Sequence, residues 1–394
     1  MADLGGPRSL VRAALPAFAY YYTVGGFGFW LPLYLKGLGW EYRFITWAAT
    51  AYFLAITPST LAAGLLADAT GRPDILVCVG LLANAVGVEG VMAFHNSYML
   101  VYLFRVIQGL GLATALPIAL GSLSLIAGVR RGVTATALTS ALGMAVGTLV
   151  SGFLVGRLGL FTLPFDVVAA VSVASSLAAC GWRPPVRVGG PRSVVSGLRA
   201  IPASVALVAA ALVARNFFSS GVFSVLSVIF NVVLGVNIAW TSVALAANPI
   251  AEFLAAPLAS RVARGRELPV YSASLAATGL VFYMYLHAGS PLVVVAAQAL
   301  LGVVYVHIMV SGNNFILTRS PEEIRYTASS IYSLAFNLGW ILGTLASGPY
   351  MDAHGPKAWV SLSIAGCVAA GLLALAAHPL DSRRARGPHG AWPS

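Results

Sequence analysis

Charge is scarce in this chain of 394 residues: 9% of positions carry Asp, Glu, Lys or Arg, against about a quarter in an ordinary soluble domain. A surface wetted on every side cannot be built from so few ions, so a soluble globule is excluded. Acidic residues number 12 and are scattered. An enzyme embedded in the membrane needs nucleophile and acid/base groups gathered at one interface. The nearest approach to such a cluster, Glu322-Glu323 in RSPEEIR, reads as a loop leading into a helix N-terminus. Cysteine is almost absent: Cys78, Cys180 and Cys367 sit far apart in apolar runs with no CxxC spacing, and are read as packing thiols rather than disulfides or metal ligands. No metal or cofactor is expected. The net charge of +11 does not signal nucleic acid either, because no basic cluster alternates with aromatics on a polar element.

What the chain has is apolar length. Hydrophobic residues make up 59%, with 41 Gly and 21 Pro spread among them, and the mean hydropathy is +0.86. Small residues and Pro at these levels suit helices packed in lipid, each crossing needing about 20 residues. Apolar runs between loop signals place spans at 10–35, 42–66, 73–94, 97–120, 132–155, 161–182, 202–233, 238–260, 268–288, 291–317, 326–349 and 358–378. The first run is too long for a signal-peptide core and is kept as a span. With this count, 17 of the 23 basic residues face the side of the termini, four face the other side, and Arg105 and Arg215 fall within spans. The positive-inside rule then puts both termini in the cytoplasm and explains the basic excess as loop arginine facing anionic headgroups. The chain thus divides into an N-terminal half 1–182, a polar linker 183–201 rich in Pro, Gly and Arg, and a C-terminal half 202–394 with a short basic tail.

An internal repeat supports that division. Leu142–Gly152 reads LGMAVGTLVSG, and 196 residues later Leu338–Gly348 reads LGWILGTLASG, identical at seven of 11 positions. The same offset pairs Gly25 with Gly221, Phe27 with Phe223 and Leu38-Gly39 with Leu234-Gly235. A shared offset on equivalent spans is the mark of a duplicated half.

Two first-half motifs carry more specific information. Gly64 to Arg72 reads GLLADATGR, with Gly64 permitting close helix approach, Asp68 an anion at the membrane edge, and Gly71 before Arg72 permitting a turn. In the fourth span RVIQGLGLA buries Arg105 one turn before Gln108 and Gly109, and a cation inside lipid needs a partner, water or a function. With these motifs the sequence resembles the major facilitator superfamily of twelve-span secondary transporters: the first stretch is similar to that family's motif A and the second to its motif B. Gly143, Gly147 and Gly152 resemble the antiporter motif C, although Thr148 stands where that motif has Pro and Ser151 where it has the first Gly of its closing pair. The second copy of motif A is degenerate, with Pro257 opposite Gly64 and Arg261 opposite Asp68 in PLASRVARGR.

The resemblance implies an all-α membrane protein of twelve transmembrane helices, in two pseudo-symmetric six-helix halves around a central cavity. It also implies that the first, fourth, seventh and tenth spans line that cavity, and that Asp68 fastens the cytoplasmic side against the N-terminus of the eleventh span, where a helix dipole favours an anion. Cavity candidates are then Tyr22 among Tyr20, Tyr21 and Thr23, together with Asn216, Gln298, Asn313 and Asn314. Glu252, just after Asn248-Pro249, is at a depth similar to Arg215 on the neighbouring span. The pair is expected to form, with Glu252 as proton-coupling acid and Arg215 as counter-ion, or else as a static ion pair. His307 is a candidate relay, and Glu89 and Asp166 lie in peripheral spans, Glu89 within reach of Arg105. The expected function is alternating-access transport, proton-coupled export of amphiphilic or drug-like compounds, by a monomer in a prokaryotic plasma membrane. Uptake of a sugar or other small polar solute stays open, as does a non-transporting sensor.

Overall fold

The structure is a computed structural model describing residues 7–379 apart from 71, 128, 160, 183–201 and 320–324. The linker therefore lies outside the described residues, as do Gly71 and Glu322-Glu323. Every regular element described is a helix. The reason is solvent: with no water inside the bilayer, each backbone N–H and C=O must find its partner within its own segment.

Among the described residues ten helices are long and apolar enough to cross a membrane, and the helices of the first and eleventh spans complete the twelve. The first span is a helix at Pro7–Thr23 that passes through a π-helical turn at Val24–Gly28 into a short helix at Leu31–Gly37. Then follow Tyr42–Thr70, Pro73–Ala93, the fourth span as Tyr98–Leu112 plus Ala115–Ala127, Val129–Leu158 and Thr162–Ala179. The seventh span runs Ala203–Phe223 and ends in Leu226–Val228 and a second π-helical turn, Ile229–Val233. Ile238–Val262, Glu267–Leu286, Pro291–Arg319, Arg325–His354 and Pro356–Leu375 finish the bundle. Proline and cap residues set several starts. Pro73, Pro291 and Pro356 open helices where a missing N–H is harmless, and the Asn237 side chain accepts from the Trp240 amide at 2.9 Å.

The two halves repeat one packing scheme. First on fifth is matched by seventh on eleventh, second on fourth by eighth on tenth, and third on sixth by ninth on twelfth. The duplication also shows in the loops: Gly39 and Gly235, and Gly159 and Gly355, each pair 196 apart, all have positive φ, from 66° to 87°. Only glycine enters that region at low cost. Several buried hydroxyls bond back onto their own helices, as with Thr148 on the Met144 carbonyl at 2.7 Å and Thr23 on that of Ala19 at 3.0 Å.

The reading of the cysteines needs correcting. Cys78 and Cys180, 102 residues apart in sequence, form a disulfide with their Cα atoms 5.3 Å apart, while Cys367 is free and buried. The third and sixth spans pack side by side, which brings the two cysteines within bridging reach despite their spacing in the chain.

Between the halves the extensive contacts are fifth on eighth and second on eleventh. We call the face bearing residues 38–41, 159, 161 and 234–237 distal, and the opposite face, bearing residues 7, 182 and 202, proximal. The repeated glycines build the distal seal. A Cβ on Gly152 would strike the Ser242 side chain of the eighth span, and one on Gly348 would strike Arg43 and Thr46 of the second. Beneath these, the Thr50 and Thr344 hydroxyls share a hydrogen bond of 2.8 Å, and the Trp47 indole N–H donates to the Leu345 carbonyl at 3.2 Å.

Candidate functional site

Two arginines and one glutamate are buried in the spans facing the bundle centre, and none has an ion partner within 4 Å among the described residues. The fourth span carries Arg105, whose Nε donates to the Ala48 carbonyl of the second span at 3.2 Å and whose Nη1 donates to Gln108 Oε1. Its guanidinium stacks on Tyr52, 4.6 Å from the ring centre, with Phe27 at 5.6 Å. Neutral oxygens and π faces, not an acid, hold this cation. Gln108 Nε2 is buried without a partner. Gly109 explains how the fourth span comes so close: a Cβ there would lie 2.6 Å from the Tyr52 carbonyl oxygen.

Arg215 is 1% exposed on the seventh span. Its Nη1 donates to Asn216 Oδ1 at 2.8 Å, and Nε and Nη2 both donate to Thr278 Oγ1 of the ninth span at 3.3 Å. The expected Arg215–Glu252 ion pair is therefore not formed. On a helix the angular position decides partners, and Arg215 turns toward Thr278 of the ninth span. Nor does Arg105 pair with Glu89, which is exposed on the outer face of the third span beside Asp166.

Glu252 is 9% exposed on the eighth span, three residues after the Pro249 interruption. The tenth span presses against it: a Cβ on Gly302 would sit 3.0 Å from the Glu252 amide. Tyr21 of the first span and Tyr305 of the tenth lie within electrostatic range of its carboxyl group. Of the tyrosine triplet, then, Tyr21 faces Glu252, and Tyr20 accepts from the Tyr52 hydroxyl at 3.3 Å beside Arg105. Tyr22, singled out from sequence, is 4% exposed and packs with Phe18. Its carbonyl is the surface that a Cβ on Gly147 would strike. Three consecutive helical residues spread over about 200° of arc, so they cannot all face one cavity.

The remaining candidates divide similarly. Asn216 donates to the Phe336 carbonyl at 3.1 Å and belongs to the contact of the seventh span with the eleventh. Gln298 is 1% exposed with its Nε2 unpartnered. Asn313 donates to the Met309 carbonyl one turn back at 2.9 Å, and Asn314 is half-buried. His307 is half-buried, with Nδ1 2.7 Å from the Val303 carbonyl, which fixes the proton on that nitrogen and leaves Nε2 for other partners. Gly143 packs on Phe18 as Gly147 packs on Tyr22, so the motif-C-like face joins the fifth span to the first. Gly64 and Asp68 belong to the helix Tyr42–Thr70, and the Asp68 side chain lies outside the described part of the structure. Arg72 forks onto Asp74 with Nε and Nη2 contacts of 3.1 Å, a pairing that holds its guanidinium still more firmly charged.

One element escaped the sequence reading. Trp340, opposite Met144 in the repeat, stacks against Phe53 of the other half at 4.7 Å and lies 6.1 Å from Phe223 and 6.2 Å from Phe336. The aromatic cluster joins the halves beneath the distal seal. A Trp at a position where the other copy has Met was the available signal.

The comparisons with known proteins agree with this architecture. A family model described as the Major Facilitator Superfamily matches residues 13–344. Among solved structures, the nucleoside transporter NupG superposes with a TM-score of 0.74 at 16% identity, covering 94% of this chain and 98% of its own. A variant of the peptide transporter POT superposes at 0.70 and 16% identity, covering 96% and 95%. At such identity the likeness is one of fold. No curated protein sequence matches the chain.

Proposed function

Because the chain belongs to the major facilitator superfamily, we propose that it is a secondary active transporter that moves a small molecule by rocking its two halves about a central cavity, coupled to protons. The observation that carries the coupling is Glu252, a carboxyl group buried between the halves with no cation within 4 Å among the described residues and with Tyr21 and Tyr305 as neighbours. A carboxyl group so placed exchanges a proton according to the hydration of the cavity and the charge of its contents, since burial disfavours the ionised form and a nearby cation favours it. Each proton crossing a membrane potential of 100 mV yields about 2.3 kcal/mol.

The cluster of Tyr20, Tyr21, Tyr52, Phe53, Phe223 and Trp340 near the contact of the halves favours amphiphilic cargo, and the motif-C-like glycine face of the fifth span supports export. A second reading, uptake of a small polar solute, is favoured by the orphaned amide donors of Gln108 and Gln298, which a hydroxylated or carbonyl-bearing cargo would satisfy. In either reading the distribution of Arg supports a cytoplasmic proximal face and cytoplasmic termini in the plasma membrane. The transporter works as a monomer, with Arg215 and His307 tuning the cavity field rather than pairing with Glu252.

The test is proton movement in proteoliposomes holding a pH-sensitive dye, with cationic amphiphiles, sugars and amino acids added in turn. The expected result is cargo-triggered proton flux that Glu252→Gln abolishes while cargo binding persists. Full pH-driven flux in Glu252→Gln would end the coupling role.

A further inference from the structure

At the distal end the second span starts at Tyr42, and the first amide N–H groups of any helix lack intrahelical acceptors. Here they are capped from the other half of the protein. The Tyr42 and Arg43 amides donate to the two carboxylate oxygens of Asp352, at 2.8 and 3.1 Å, across 310 and 309 residues of sequence. Asp352 stands in the last turn of the eleventh span, where the C-terminal end of a helix repels an anion, so its stability there depends on the positive helix start it faces. Arg43 reinforces the contact with Nε 3.8 Å from Asp352 and keeps Nη2 2.5 Å from Glu41 of its own half.

We infer that Asp352 is the latch of the distal gate, a residue whose grip on the start of the second span sets how long the transporter stays closed on that face. The grip is strong enough to bias and weak enough to release. The Asp352 side chain is 22% exposed and that of Arg43 44%, so solvent screens the ion pair and the capping bonds carry the specificity. When the halves part, water takes over the two amides, and Glu41 still neutralises Arg43, so opening leaves no buried charge unpaired. The packing around the latch supports this assignment: Gly348, one turn earlier, lies so close to Arg43 that any separation of the second and eleventh spans pulls Asp352 from its amides.

This inference rests on the rocking motion proposed above. Its test is amide hydrogen exchange by mass spectrometry in lipid nanodiscs on the wild type, Asp352→Ala, Asp352→Asn and Gly348→Ala. Asp352→Ala should raise exchange at the distal ends of the second, fifth, eighth and eleventh spans together and lower it at their proximal ends. The expected shift is about threefold to tenfold, the ratio that loss of an N-cap acceptor produces. Asp352→Asn, which keeps an acceptor, should shift the balance less. Faster exchange confined to residues 42–46, with the proximal ends unchanged, would reduce Asp352 to a local cap and overturn the latch. Gly348→Ala wedges the seal independently. If it gives the reciprocal pattern and Asp352→Ala does not, the latch fails and rocking stands; if neither does, both fall.

Discussion

Replacing Gly147 or Gly343 by Ala probes the duplicated architecture directly. A Cβ at 147 would strike the Tyr22 carbonyl oxygen and lie 3.0 Å from the Gly26 amide nitrogen; at 343 it would strike the Phe217 carbonyl, with the carbonyl carbon at 2.8 Å. Both obstacles are backbone, which cannot rotate aside as a side chain would, so the paired helices must separate. Overpacking of this kind costs about 1–3 kcal/mol, against a helix-propensity gain of up to about 1 kcal/mol for Gly→Ala. Gly121 supplies the reference, because a Cβ there meets nothing within 4 Å and only the gain applies. Thermal unfolding followed by intrinsic fluorescence in one detergent should therefore rank Gly121→Ala above wild type, and Gly147→Ala and Gly343→Ala below it by similar amounts. Gly152 and Gly348 face the opposite half, so Ala there should alter the distal-open population more than the unfolding temperature. Equal stability of the 121, 147 and 343 variants would refute the claim that backbone contact holds the first span to the fifth and the seventh to the eleventh.

Thr278→Val, nearly isosteric, removes the acceptor of Arg215 Nε and Nη2 and should destabilise the protein by about 1–3 kcal/mol; an unchanged denaturation midpoint would show that Arg215 finds another acceptor. Alkylation of the unfolded, unreduced protein followed by mass spectrometry should label Cys367 alone, and all three cysteines after reduction; three labels without reduction would contradict the bridge.

Much of the architecture was legible because lipid imposes a coarse rule. Twelve apolar runs, arginine on alternate loops and LGMAVGTLVSG echoed by LGWILGTLASG suffice for span number and duplication, since each depends on composition or local order. Angular position is what the sequence obscured. Arg215 meets Thr278 while Glu252 lies near Tyr21 and Tyr305, and Tyr22 packs on Phe18 while Tyr20 and Tyr21 reach Tyr52 and Glu252, because each residue turns by about 100°. Contacts across long separations were equally hidden: Cys78 with Cys180, and Asp352 with the start of the second span, involve residues that look unremarkable in their own segments. Asp352 in particular falls beyond the sequence-drawn end of the eleventh span at 349, whereas the helix runs on to His354.

The hydroxyl pair inside the seal has a mechanical consequence. Thr50 and Thr344 bond each other, but Thr50 also reaches the Thr46 carbonyl at 3.1 Å and Thr344 the Trp340 carbonyl at 2.8 Å. Neither side chain depends on the opposite half to stay hydrogen-bonded, so parting them does not require water to arrive first. At the level of this pair the seal is a dry bearing rather than an adhesive, and friction there is set by the shape of the glycine-lined surfaces, while the polar bonds that break and re-wet on each cycle are those of Trp47 and Asp352.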